Sequence, residues 1–210
     1  MALIHRTTMA PSKLELLGRW FPSRPWYSGP GRAEELQRVG GFRLDDPAGS
    51  VGIECLVVTD TGGTEPITYF VPLSYRDAEF DADADALLGT AEHGVLGTRW
   101  VYDGTRDPVA VDRMVALLAG GARAQHGTES ETPDLSVLVA AAADLPAAGS
   151  APISAAENPV GTDITVADGQ LRVHRVLGRS EPVLRSGQVI VPWTAPNGST
   201  VRSVVLSELR

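Results

Sequence analysis

Apolar and polar positions divide this chain into segments of distinct period. Leu14, Leu16 and Leu17 follow Pro11-Ser12 and form a short amphipathic turn, with proline where a missing N–H costs little. Residues 36–44, 52–59 and 66–74 are rich in β-branched and aromatic side chains and are bounded by Asp45-Asp46-Pro47 and Gly62-Gly63. They predict an antiparallel meander. In the third run Tyr69, Val71 and Leu73 alternate with Phe70 and Pro72, so parts of both faces are expected to be buried. Residues 92–103 predict a fourth strand carrying Val95, Trp100 and Tyr102, after an acidic run that caps a short helix over 84–88.

Asp107-Pro108 then opens a helix, with the apolar stripe Val111, Met114, Val115, Leu117 and Leu118 and a stop at Gly120-Gly121. Its stripe is expected on a sheet that includes Val57, Tyr69, Val71 and Trp100. The next stretch turns polar. Beyond it 135–141 is apolar, and strands at 164–166 and 171–177 flank a hairpin signal at Asp168-Gly169. Strands at 189–193 and 201–206 flank Pro196-Asn197-Gly198, whereas 142–161, rich in Ala, Ser and Pro, predicts irregular chain. The expected fold class is α+β: an antiparallel sheet with packed helices over residues 1–122, a linker or exposed loop over 123–134, and a strand-rich region over 135–210 packed on or continuing the first part.

Composition changes this picture only by exclusion. The chain has 210 residues, 43% of them hydrophobic, as in an ordinary globular protein. A formal charge of −8 argues against nucleic acid or an anionic membrane as partner. Lys13 is the only lysine, so the cationic groups are almost all arginine. The one cysteine, Cys55, lies in the apolar run 51–58 and excludes an internal disulfide and a thiolate zinc cluster. With no signal-peptide segment at the start and no run of membrane-spanning length, the expected location is cytoplasmic.

Candidate chemistry concentrates at 11–32, where Arg19-Trp20-Phe21 and Arg24-Pro25-Trp26-Tyr27 lead into Gly29-Pro30-Gly31-Arg32. Prolines forbid a regular helix or flat strand there. The segment either forms a packed plug between helix and sheet or offers a surface. On that surface Trp20, Arg24, Trp26, Tyr27 and Arg32 would bind a protein partner or stack on a sugar. Asp81, Asp83, Asp85 and Glu92 match some places of a calcium loop, but Ala86 stands where its turn needs glycine. His5, His93, His126 and His174 are scattered singly, with His174 expected on the polar face of its strand, and no metal site is expected. Gly29-Pro30-Gly31 lacks the third glycine and following Lys of a phosphate loop.

The stretch RWFPSRPWYSGPGR, with GVLGTRWVYDGTRDP at 94–108, resembles the maltokinase N-terminal cap domain. The start, MALIHRTTMAPSKLELL, looks like the stand-alone cap-like proteins of actinobacteria rather than a full kinase. A kinase of that type needs a His-Gly-Asp catalytic loop and a later metal-binding aspartate. His93-Gly94-Val95 and His126-Gly127-Thr128 lack the aspartate, and Leu171–Arg175 has no lysine for phosphates. The resemblance therefore implies a cap fold with no catalytic residue and no cofactor. It implies a non-catalytic binding or regulatory module, partnered by a sugar kinase or another enzyme of trehalose, maltose or glycogen metabolism. The alternative is a sugar-binding protein or cryptic carbohydrate-active enzyme.

Overall fold

A computed structural model describes residues 9–80, 84–129, 132–142, 154–167 and 169–209. His5, the start of the chain, Asp81, Asp83 and Asp168 lie outside the described residues, as do 143–153 of the stretch expected to be irregular. Among the described residues 46% are in strands and 15% in helices, so the α+β fold is mainly β.

The strands are β1 (Met9–Ala10), β2 (Leu36–Leu44), β3 (Gly52–Asp60), β4 (Ile67–Arg76), β5 (Leu87–His93), β6 (Gly97–Asp103), β7 (Leu138–Ala140), β8 (Ser154–Asn158), β9 (Gly161–Val166), β10 (Gly169–His174), β11 (Val176–Leu177), β12 (Gln188–Thr194) and β13 (Thr200–Leu209). The helices are α1 (Lys13–Trp20) and α2 (Pro108–Leu118). All pairings between these strands are antiparallel, in the order β1-β5-β6-β4-β3-β2-β12-β13-β10-β9-β8, with β7 beside β12.

The ladder also closes on itself. The second edge of β4 is shared: Leu73–Arg76 pair with β6, whereas Thr68 and Tyr69 pair with β11. Since β10 runs into β11 through Arg175, whose carbonyl accepts the Phe70 N–H at 2.9 Å, the circuit β2-β3-β4-β11/β10-β13-β12 returns to β2. Its last join is one pair, Trp193 opposite Gly40. A Cβ at Gly40 would lie 2.9 Å from the Pro192 carbonyl, so glycine is what permits this approach.

Two cores follow from the pattern. Every strand of the circuit contributes to the larger one, among them Phe42, Val57, Phe70, Val173, Val191, Trp193 and Leu206, together with the α2 stripe Val111, Met114, Val115 and Leu118. The smaller core gathers Leu16, Leu17, Trp20, Phe21 and Trp26 against the other face of β3 and β4 at Leu56, Val58, Tyr69 and Val71. Strands β3 and β4 are thus buried on both faces, which is why they read as almost unbroken apolar runs. The expected partners of α2 change accordingly: Val57 lies in the same core as its stripe, but Tyr69 and Val71 lie in the core of α1, and Trp100 belongs to neither core.

Other expectations change in detail. Residues 92–103 form the end of β5, a turn and β6, with Val95 and Leu96 exposed at the tip. The helix expected over 84–88 is one 3-10 turn, Ala84–Ala86. Ser154–Asn158 is a strand rather than irregular chain. In the β9–β10 hairpin Gly169 pairs with Val166, so it belongs to the ladder rather than to the turn, and Ala167 has positive φ.

Helix ends are satisfied locally. Ser12 and Glu15 form a capping box on α1. Asp107 caps α2 through the Val109 N–H at 2.9 Å while both its oxygens receive Arg76 at 2.8 and 2.7 Å. No helix among the described residues is long and apolar enough to cross a membrane.

Candidate functional site

The helix α1 delivers Trp20, and a 3-10 turn over Phe21–Ser23, with Pro22 in it, reverses the chain before Arg24 resumes an extended conformation. This folds the aromatic residues back on one another. Trp26 lies 5.7 Å from Trp20 and 5.5 Å, edge-on, from Phe21; Tyr27 lies 4.8 Å from Phe21. Tyr69 of β4 closes the group at 5.8 Å from Trp26 and 5.2 Å from Tyr27.

Each polar tip in this cluster has a partner. Trp20 Nε1 donates to the Asp85 carbonyl at 3.1 Å. Trp26 Nε1 donates to Glu157 Oε1 at 2.8 Å, and Arg24 Nη1 to Glu157 Oε2 at 3.0 Å. The Arg24 guanidinium lies 4.9 Å over the Trp20 ring and its side chain is only 8% exposed. Tyr27 donates its hydroxyl to Asp60 and accepts the Gly31 N–H at 2.8 Å. Burial raises the Tyr27 phenol well above its usual range and the bond to Asp60 raises it further, so it is a neutral donor. A Cβ at Gly29 would fall 1.9 Å from Asp60 Oδ2, so only glycine lets the chain pass this bond.

The structure therefore brings Trp20, Arg24, Trp26 and Tyr27 together and leaves Arg32 apart. Trp20 and Trp26 are buried, and Tyr27 is intermediate. The Arg32 side chain is 63% exposed and reaches Glu35 at 3.4 Å on the surface. Arg19 is exposed as well, as are Pro22, Ser23, Pro25, Ser28 and Pro30, whereas Arg24 lies with the rings.

Sequence reasoning missed the other half of the cluster. Arg175 is fully buried between β10 and β11; Nη2 donates to Asp103 and to Thr105 Oγ1, and Nε to Thr162 Oγ1 at 2.9 Å. Its guanidinium lies 5.0 Å over the face of Trp26, while Nη1 has no protein acceptor among the described residues. A signal was present: in Leu171–Val176 the alternation breaks at His174-Arg175, and two adjacent polar residues cannot both face solvent on one strand. His174, expected on the polar face, is half-buried and shares a hydrogen bond with Ser207 at 2.8 Å.

A further buried charge ties α1 to the sheet. Glu54 receives Lys13, Arg38 Nη1 at 3.0 Å and the Tyr75 hydroxyl at 3.0 Å. Burial pushes its pKa up, but the Lys13 and Arg38 charges outweigh that and hold the carboxyl below its usual value. Cys55 is buried, and burial raises its thiol far above the ordinary range. Among the described residues no three His, Cys, Asp or Glu side chains are grouped to hold a metal.

Residues 20–107 match the family model of the maltokinase N-terminal cap domain. The match runs from Trp20 through β2–β6 to the N-cap of α2, and β7–β13 lie beyond it.

Proposed function

We propose that the protein is a non-catalytic binding or regulatory module related to the maltokinase cap, acting in the cytoplasm on an enzyme of trehalose, maltose or glycogen metabolism. The match of residues 20–107 to that cap carries the reading. In this reading 1–122 is the cap-like part, 123–134 the connection, and 135–210 a continuation of its sheet. Burial of Trp20 and Trp26 favours a module over a sugar site built on open rings. The partner-facing side is the arginine edge of Arg19–Arg32, a residue type enriched at binding hot spots.

A calorimetric titration of the intact chain against a purified maltokinase tests this. Arg32→Ala, which removes only an exposed side chain, is expected to weaken binding about tenfold with no change in thermal midpoint. Absence of binding by the intact chain overturns the partnership. Turnover of ATP with maltose by the protein alone, at an enzyme-like rate, overturns the non-catalytic assignment.

A further inference from the structure

The group that covers the arginine–tryptophan turn comes from elsewhere in the chain, and it sits on a short strand of small residues. Glu157 belongs to β8, which among the described residues is an edge strand paired with β9 alone. Its five residues are Ser154, Ala155, Ala156, Glu157 and Asn158, so it buries no large apolar side chain; only Ala155 packs on the main core. Its neighbour β9 is anchored differently, with Thr162, Ile164 and Val166 buried. Asn158 organises the turn between them by accepting the Val160 and Gly161 N–H groups at 3.1 and 3.0 Å. An edge strand of small residues on an anchored neighbour is the kind of unit that opens without global unfolding.

We propose that β8 is a latch: Glu157 holds the Arg24–Trp26 clamp closed, and peeling β8 from β9 about the Asn158 turn frees that clamp to take a carboxylate from a partner instead. This rests on the reading that Arg19–Arg32 faces a partner. The clamp's chemistry sets the class of occupant. Two convergent donors, a guanidinium and an indole N–H, grip the two oxygens of one carboxylate at 3.0 and 2.8 Å. A partner's acidic side chain can replace Glu157 like for like, whereas a neutral one leaves Arg24 uncompensated beside Trp20. Glu157 thus both keeps the clamp satisfied when the protein is alone and makes the docking competitive.

Hydrogen exchange on the intact chain, with Glu157→Ala and Glu157→Gln, decides the matter. Glu157→Ala is expected to raise exchange roughly tenfold or more in 20–32 and 154–158 while β12 and β13 keep their protection. Glu157→Gln, which still accepts from Trp26 but loses the charge for Arg24, is expected to fall between. Unchanged exchange in 20–32 for both variants overturns the latch. Loss of protection throughout the sheet also overturns it, because Glu157 is then an ordinary part of the global fold. Titration with a purified maltokinase separates the two readings. Tighter binding by Glu157→Ala supports both, whereas local opening without tighter binding overturns the exchange of carboxylates even though the intact chain still binds through its exposed arginines.

Discussion

A single arginine ties β6 and the turn before α2 to β9. Arg175 satisfies Asp103 and Thr105 from the turn before α2, reaches Thr162 on β9 and covers Trp26, all without solvent. Removing one member of such a pair leaves the other charge buried. Arg175→Met is therefore expected to cost about 3–5 kcal/mol in urea unfolding, and Arg175→Met with Asp103→Asn less than the two changes summed. Additive losses would show that the two groups act independently. His174 gives a pH signature. Burial and then the Arg172 charge lower its pKa below 6.5, so the unfolded chain takes up a proton before the folded one does. Stability is full above about pH 6.5 and falls as pH drops through that value toward the folded pKa. In melts between about pH 7.5 and 5.5, His174→Gln is expected to flatten the upper part of this decline. An unchanged slope would show that His174 does not carry this part of the decline. The sequence displayed the aromatic half of the Arg175 cluster and concealed the ionic half. The rings are neighbours along the chain, whereas Arg175, Asp103 and Glu157 meet only through folding.

Among the elements, the long apolar ones were legible and the short polar ones were not. The α2 stripe and its capped ends follow from Asp107-Pro108 and the helical spacing of Val111, Val115 and Leu118, all of them buried as that spacing requires. Leu118→Ala is expected to destabilise by about 2–5 kcal/mol in urea unfolding, since the side chain is fully buried among residues of several elements. A loss under about 1 kcal/mol would mean that the site collapses to fill the space. The end of β5 and β6 read as one strand because Val95 and Leu96 look like core residues, yet they cap an exposed turn that Gly97 closes at positive φ. Nothing in Ser-Ala-Ala-Glu-Asn carries a β signature. That strand exists because β9 offers it a ladder, a cause that lies outside its own residues.

For the whole molecule, the stretch that matches the cap family model ends well before the sheet and core that it belongs to. The first 122 residues keep α1, α2 and β1–β6, but they lose the strands that pair with the outer edges of β2 and β4. They also lose Val173, Val191, Trp193 and Leu206 from the core that α2 closes. A fragment ending at residue 122 is expected to show no cooperative thermal transition by circular dichroism, in contrast to the intact chain. A sharp transition in the fragment would establish the cap as autonomous and reduce the remainder to an appendage.

The closed circuit also has a consequence in time. Translation delivers β2, β3 and β4 long before β12 and β13, and the circuit shuts only when Trp193 reaches Gly40. Until then Phe42, Val57 and Phe70 face an unfinished interior on a ribosome-bound chain. Such a polypeptide has a long apprenticeship. The hairpin of β3 and β4 is local and quick to form, but its completion depends on the most distant contacts in the protein. Until β12 and β13 arrive, the nascent chain accordingly keeps in the open an apolar surface of the kind that chaperones cover in incomplete proteins.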